Sequence, residues 1–304
     1  MRAPSGKQIE LVADGQRAVV VEVGGGIRSY SVDGEDVLDG YAADSMCTSG
    51  RGQVLIPWPN RLRGGSYEFA GRRQQLSLTE PEQGNAIHGL VRWSAWDVAE
   101  RGAERVVLEH LLHPQPGYPF RLELRIEYTL STTGLAVRTT ATNSGDDVCP
   151  YGCGAHPYVT VGTETVDSVT LRAPAGRVLF SDERGIPNGD AAVDGTAYDF
   201  RRGRLVGDTK LDNAFTELER DAEGVARIEL RDAESGSGVD VWMDEAYRYA
   251  MLFTGDPLPD VNRRSLAVEP MTCPPNAFRS GEAVVRLEPG ESYTTTWGIA
   301  PVAA

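Results

Sequence analysis

Nowhere does this 304-residue chain run to the roughly eighteen consecutive apolar residues that a membrane-crossing helix needs. Positive charge is also short. Thirty Lys and Arg stand against 44 Asp and Glu, a formal net charge of −14. A nucleic-acid binder needs clustered cations to neutralise phosphates, so the balance argues against one, and it disfavours anionic membrane surfaces. A small neutral substrate is compatible with it. Cysteine is scarce: Cys47, Cys149, Cys153 and Cys273 are too few for a disulfide framework in a chain this long, which points to a reducing compartment. The opening MRAPSGKQIELVADGQRAVV lacks the apolar core of a signal peptide, so the expected location is cytoplasmic. Histidine is equally rare, with four in all, so the surroundings of each one carry weight.

Turn formers are abundant, with 34 Gly and 18 Pro, a composition that suits many short strands. The clearest strand is RLELRIEYTL at 121–130, where Leu122, Leu124, Ile126, Tyr128 and Leu130 alternate with charged or polar residues. Segments 105–112, 135–143, 225–232 and 292–300 repeat the pattern less purely, separated by turns such as Ser-Thr-Thr-Gly at 131–134 and Glu-Pro-Gly-Glu at 288–291. No long amphipathic helix emerges. The pattern is that of an all-β antiparallel sandwich or barrel, read as a single domain over 1–304. The Gly- and Asp-rich stretch 182–208 reads as a long loop.

Five places hold polar residues in unusual company. Asn60 and Arg61 follow Pro57-Trp58-Pro59. His88 lies in Asn85-Ala86-Ile87-His88-Gly89, with Trp93 and Trp96 after it. His156 lies in YGCGAHPY, Asp212 in KLDNAF, and Glu269 ends the apolar run Leu266-Ala267-Val268. Taken singly, each has a structural explanation. A histidine near tryptophan is more often a packed core residue than a catalyst. Arg61 alone reads as an ion pair and Asp212 as a turn residue. Glu269 is harder to dismiss, because a buried carboxylate is costly unless paired or used. His110 is in phase with the apolar residues of 105–112 and reads as core. His113 precedes Pro114 and reads as a loop residue.

Taken together, Asn60-Arg61, Gly65-x-Tyr67-x-Phe69-x-Gly71, Asn85-x-x-His88-Gly89, His156-Pro157-Tyr158, Asp212 and Glu269-Pro270-x-Thr272-x-x-Pro275-Asn276-Ala277-Phe278 resemble, in order and spacing, the aldose 1-epimerase (galactose mutarotase) family. The resemblance runs from about Gly24 to the C-terminus. It implies a large antiparallel β-sandwich with a sugar-binding cleft on one face. It implies His156 as general acid and Glu269 as general base, with Asn60, Arg61, His88 and Asp212 as substrate-binding residues, Trp93 or Trp96 as a pocket wall, and no cofactor and no metal. The chemistry suits these residue types. Interconverting sugar anomers needs one group to take the proton from O1 and another to give one to the ring oxygen, and imidazole and carboxylate do this near neutrality.

Two departures stand out. Leu90 follows His88-Gly89 where the family often has a second glycine. The family glutamine before a Tyr-Thr-Gly-like stretch has no counterpart, since 209–268 contains no Gln and the matching stretch is MLFTGD; Trp242 or Tyr249 are candidates to fill that space. Three other functions remain open. A hexose 6-phosphate substrate would call on Arg61, Arg63, Arg72, Arg73 and Arg92, and a non-catalytic sugar-binding protein could use the same fold. A zinc half-site at Cys149, Cys153 and His156 lacks a second pair. A monomer or a homodimer is expected.

Overall fold

A computed structural model describes residues 3–303. The alternation at 121–130 forms the strand Leu122–Ser131, whose residues are buried and solvated in turn. It pairs across the 131–134 turn with Gly134–Asn143. These lie in a nine-stranded antiparallel sheet ordered Asp97–Arg101, Arg105–Leu112, Leu122–Ser131, Gly134–Asn143, Ser292–Val302, Gly238–Met243, Ala226–Asp232, Val169–Arg172 and Arg204–Leu205. A second, eight-stranded sheet runs Pro187–Ala192, Ala175–Ser181, Asp212–Leu218, Tyr249–Phe253, Leu266–Met271, Gly154–Ala155 and Val54–Leu55, with Tyr158–Val159 also paired to Leu266–Met271. Leu124, Ile126 and Ile299 of the first sheet and Phe215, Leu252 and Val268 of the second belong to one buried cluster. That shared core makes the architecture a sandwich, and each such side chain contributes about 1.5–3 kcal/mol when fully buried.

The stretch expected as a loop at 182–208 instead contributes an edge strand to each sheet, Pro187–Ala192 and Arg204–Leu205. Pro187–Ala192 reads PNGDAA and is mostly exposed, so it carries no apolar alternation for a sequence pattern to detect. Main-chain pairing with Ala175–Ser181 forms it instead.

Register decides which side chains leave the core. Cross-strand partners share a face, so Ala214, Met251 and Glu269 form one row, flanked by Asp212, Phe253 and Ala267 and by Thr216, Tyr249 and Met271. Their neighbours Leu252 and Val268 point into the sandwich. Glu269 therefore projects from the outer face of the second sheet, where Leu179, Ala214, Tyr249, Met251 and Met271 form a separate small apolar cluster.

Two short elements cover that face. Arg61–Arg63 pairs with Asn85–Ile87, and the one-turn helix Ala277–Ser280 braces them. Asn276 donates its main-chain N–H to Arg61 O (2.6 Å) and accepts the Arg63 N–H at Oδ1 (3.1 Å). Phe278 packs against Trp58 and Tyr67, with ring centroids 5.7 and 5.1 Å away. The Pro-Asn-Ala-Phe segment is thus scaffold for the strand that carries Arg61.

Gly89 shows how tightly this scaffold is drawn. Its φ is +72°, and a Cβ there would collide with the Ile56 carbonyl group. Gly89→Ala is expected to lower unfolding free energy by about 1–3 kcal/mol through strain and displacement. Urea denaturation checks this: a reduced midpoint at unchanged slope is the expected outcome, and an unchanged midpoint contradicts the tight approach.

Candidate functional site

Glu269 is 2% exposed and His156 5% exposed, and they meet with His156 Nε2 3.4 Å from Glu269 Oε1. Each has a polar atom left without a partner, His156 Nδ1 and Glu269 Oε2. Both come from regular pairing. Glu269 stands in the strand Leu266–Met271 opposite Met251. His156 follows Gly154–Ala155; its N–H donates to Gln53 O (3.1 Å) and its carbonyl accepts the Gly52 N–H (2.9 Å). The His156 ring stacks on Tyr158 with centroids 4.9 Å apart.

Burial sets the proton affinities of this pair. It pushes the His156 imidazole down to about 3, and repulsion from Arg92, Arg51 and Arg61 adds to the effect while a main-chain contact opposes it. Burial also raises the Glu269 carboxyl well above its ordinary value; Asp212 adds to the rise and Arg61 opposes it. Both shifts disfavour charge. The pair is therefore biased toward neutral imidazole and protonated carboxyl, one transferable proton held between two groups.

His88 stands edge-on to His156, ring centroids 5.3 Å apart at 74°. Its backbone is left-handed, φ 61°, as is that of Asn60, φ 55°. The two lock together. The His88 N–H donates to Asn60 O (2.9 Å), and the Asn60 N–H donates to His88 Nδ1 (3.2 Å). A ring nitrogen that accepts a main-chain N–H carries no proton, so the proton of neutral His88 sits on Nε2. Burial, then the neighbouring His156, Arg92 and Arg61, hold His88 well below the ordinary imidazole value and keep it neutral. The Asn60 side chain turns back to its own chain, its Oδ1 accepting the Arg61 N–H (2.8 Å). Asn60 acts here as a hinge pin for His88 and Arg61.

Arg61 forks onto Glu80, with Nε 2.9 Å from Oε2 and Nη2 3.0 Å from Oε1. Asn85 Nδ2 also donates to Glu80 Oε2 (3.0 Å). Burial works against the guanidinium charge, but hydrogen bonding and attraction to Glu80, with Asp212 and Glu269 adding, raise its pKa. Gly185 makes room for it, since a Cβ there would lie 2.5 Å from Nη1. Asp212 begins its strand exposed to the cleft. Desolvation by the cleft walls raises its carboxyl, with Arg61 opposing and Glu80 reinforcing. The charges of Arg61 and Asp212 both reach Glu269. Of the six residues singled out in the sequence, Arg61, His88, His156, Asp212 and Glu269 thus converge, and Asn60 supports them from behind.

The two tryptophans separate. Trp96 is 1% exposed and packs on His110, centroids 5.2 Å apart, so it belongs to the core and cannot wall a pocket. Trp93 is 52% exposed and lines a cavity of about 450 Å³ together with Trp58, Gly89, Leu90, Arg92 and Gln115. His110 is half-buried and holds Ala95 O at 3.0 Å; His113 is exposed. The space expected to be filled by Trp242 or Tyr249 is taken differently. Trp242 lies in the other sheet against Gly298. Tyr249 shares the face of Glu269, but its hydroxyl donates to Glu282 (2.6 Å). Met251, directly across from Glu269, is the side chain that abuts it, and this part of the floor is apolar. Among the described residues no group of three or more His, Cys, Asp or Glu is arranged to hold a metal ion. Cys149 and Cys153 instead interact with Tyr118 and with Tyr151, Thr295 and Tyr247.

Of the five arginines weighed for phosphate, Arg61 and Arg63 are occupied by Glu80 and Asp182. Arg72 and Arg73 lie on the exposed hairpin 66–75. Arg92 differs: its recorded side-chain partner is the neutral Gln53 Oε1, at 3.3 Å. Glu80 was not found from sequence. It sits before Pro81 in a turn, 19 residues from Arg61, with no periodicity aiming it there.

Comparison with known proteins agrees with this arrangement. The family model described as aldose 1-epimerase matches residues 7–300. The uncharacterised protein YihR of Escherichia coli K12 is 33% identical over 296 residues, 97% of this chain and 93% of its own. The crystal structure of a GalM/aldose epimerase homologue from C. elegans superimposes with a TM-score of 0.85 at 19% identity, covering 97% of this chain and 99% of that one. Galactose 1-epimerase from Lactobacillus acidophilus NCFM gives 0.79 at 22% identity, with 95% and 92% coverage. These structures share the fold. A family match over nearly the whole length, joined to a relative of this similarity, means that the chain belongs to the aldose 1-epimerase family.

Proposed function

We propose that this protein is a cofactor-independent aldose 1-epimerase that interconverts the α- and β-anomers of a hexose such as glucose or galactose. The observation that carries this reading is the buried His156–Glu269 pair, 3.4 Å apart, with the His88 ring against His156 and the charges of Arg61 and Asp212 acting on Glu269. One domain spanning 1–304 would do the work. Four free cysteines are in keeping with a cytoplasmic setting.

The steps follow from the proton inventory. Ring opening breaks the C1–O5 bond. The pair's single proton first moves from Glu269 to His156; Glu269 then takes the O1 proton as His156 gives its proton to O5, which leaves neutral imidazole, protonated carboxyl and an open aldehyde. Rotation about C1–C2 presents the other carbonyl face. Closure runs the same transfers backward, so the pair ends with the proton it began with. Burial favours the neutral form of the pair, the form that accompanies the open chain, so shifting the proton to His156 before ring opening is uphill and contacts with the sugar and with Arg61 have to offset it. Arg61 stabilises the carboxylate form needed at the other end of the cycle. His88 offers Nε2–H and Arg61 its guanidinium to sugar oxygens, and Asp212 accepts from a sugar hydroxyl.

A phosphorylated hexose is the second reading, and Arg92 is the observation that favours it. It is a partly buried guanidinium with no carboxylate partner among the described residues, close enough to His88 and His156 for its charge to act on both. Charge-assisted contact with a phosphate would supply the missing partner.

Three outcomes test these readings. Polarimetry of freshly dissolved α-D-glucose and α-D-galactose is expected to show faster equilibration with the wild-type protein. His156→Asn and Glu269→Gln are each expected to reduce that acceleration by roughly 10²–10⁴-fold, and the double variant by less than the product, because the two act as one unit. Full activity in both single variants ends the proposal. The second test is the pH profile of kcat/KM, corrected for spontaneous mutarotation. His156 has its affinity depressed to about 3 and stays unprotonated well below neutrality, so no acid inflection near 6.5 is expected. The raised Glu269 holds the pair's proton to higher pH than an ordinary carboxyl does, so activity should fall as pH rises and that proton leaves. An inflection near 6.5 would mean that the imidazole is solvated. The third is Arg92→Gln. On a neutral hexose it should leave kcat/KM within about threefold, whereas if a hexose 6-phosphate is the substrate the loss should be roughly 10- to 100-fold, the worth of one charged hydrogen bond.

A further inference from the structure

The Cδ2 edge of the His156 ring is backed by the turn 48–51, whose anchoring residues Thr48, Ser49 and Asp260 have no part in the site described above. Arg51 has a side chain only 4% exposed. Its Nη1 donates to Asp260 Oδ2 (2.8 Å) and Thr48 Oγ1 (3.0 Å), and its Nη2 donates to Asp260 O (2.7 Å). Nη2 also lies 3.4 Å from Asp39 Oδ2. Asp260 in turn accepts from the Thr48 hydroxyl (2.6 Å) and the Ser49 hydroxyl (3.1 Å). One guanidinium and one carboxylate thus grip the turn 48–51 from both sides, although 209 residues separate them in the chain.

That turn touches the imidazole. Gly50 (φ +76°) backs onto the ring so closely that a Cβ would lie 2.8 Å from His156 Cδ2. The Ser49 carbonyl accepts the Tyr158 hydroxyl (3.0 Å), and Tyr158 is the ring stacked on His156. The Arg51 guanidinium lies 5.5 Å from the centroid of the same tyrosine ring. Gly52 then donates its N–H to the His156 carbonyl. A histidine Nδ1 without a hydrogen-bond partner cannot fix its own tilt, so the walls have to fix it.

We infer that Arg51 and Asp260 form a positioning clamp: by pinning the turn 48–51 they press Gly50 and Tyr158 against the His156 imidazole, hold its Nε2 toward Glu269 and keep water from the ring. The inference rests on the proposed role of His156. The clamp pair touches no reacting atom; it acts through the histidine. Groups facing that ring are His88, Glu269 and Tyr158, with Arg51, Arg61 and Arg92 acting on it by charge. Asp260 is the suitable place to cut, because its side chain is 42% exposed and the fold survives its loss more readily than that of Arg51.

The test compares wild type, Asp260→Ala and Asp260→Glu by mutarotation kinetics and by NMR titration of the His156 ring. Asp260→Ala is expected to lower kcat by about 10- to 100-fold with KM within about twofold, the penalty of a misplaced catalytic group. It is also expected to move the His156 titration upward toward the ordinary imidazole range as water reaches the ring, and Asp260→Glu should recover both in part. A folded Asp260→Ala protein with unchanged kcat and unchanged His156 titration overturns the clamp. So does a loss of activity that merely follows a loss of folded protein, with the titration of the folded fraction unmoved. If the wild-type protein does not accelerate mutarotation at all, the proposed function fails, and the ring titration still decides whether Asp260 governs the environment of His156.

Discussion

Keeping a carboxylate in the middle of a sheet is the constraint around which this molecule is arranged. Glu269 occupies a central strand whose main-chain groups are paired on both sides, with Tyr249–Phe253 and with Gly154–Ala155 and Tyr158–Val159. Because the backbone is satisfied by the ladder, the whole local desolvation cost falls on the side chain. It is met by a neighbour of opposite proton preference rather than by an ion pair. His156 resists protonation for the same reason that Glu269 resists ionisation, and a single proton leaves both uncharged. A site built in this way keeps one transferable proton between two adjacent groups.

Around this neutral centre the charges are kept apart and occupied. Arg61 faces the cleft but is tied to Glu80, which is tied to Asn85, so the guanidinium is aimed without being free to fold onto Glu269. His88 is held by two main-chain hydrogen bonds to Asn60, which set its tautomer. The left-handed backbone at Asn60, His88 and Gly89 brings the two connecting segments together. Strain stored in these segments is carried by the sandwich behind them, whose core spans both large sheets. Rigidity at the site is therefore borrowed from packing elsewhere, and Met251 and its apolar neighbours give the cleft a dry floor.

Much of this was legible in the chain. The strand Arg105–Leu112 falls where its apolar pattern places it, and Leu122–Ser131 and Gly134–Asn143 lie within one residue of the expected bounds. In each, one face packs on a core and the other meets water, which writes a period of two into the sequence. Pro187–Ala192 was missed because an edge strand with neither face fully buried has no such period. Arg61, His88, His156, Asp212 and Glu269 stood out because each is a polar group set among prolines, glycines or apolar runs. Glu80, Arg51 and Asp260 sit in ordinary turn and loop contexts and gave no comparable sign. Trp96 was misplaced for a related reason: a tryptophan near a candidate histidine reads the same whether it faces a cleft or, as here, a core.

The sequence by itself determined the local rules: where strands alternate, where Gly and Pro turn the chain, and which polar residues stand in costly surroundings. These follow from side-chain chemistry and backbone sterics acting over a few residues. The tertiary structure alone decided which of those residues meet. The pairing of His156 with Glu269, of Arg61 with Glu80 and of Arg51 with Asp260 spans separations that no local pattern encodes. The direction of each proton affinity is likewise a tertiary matter, because desolvation depends on how completely distant segments exclude water from one point.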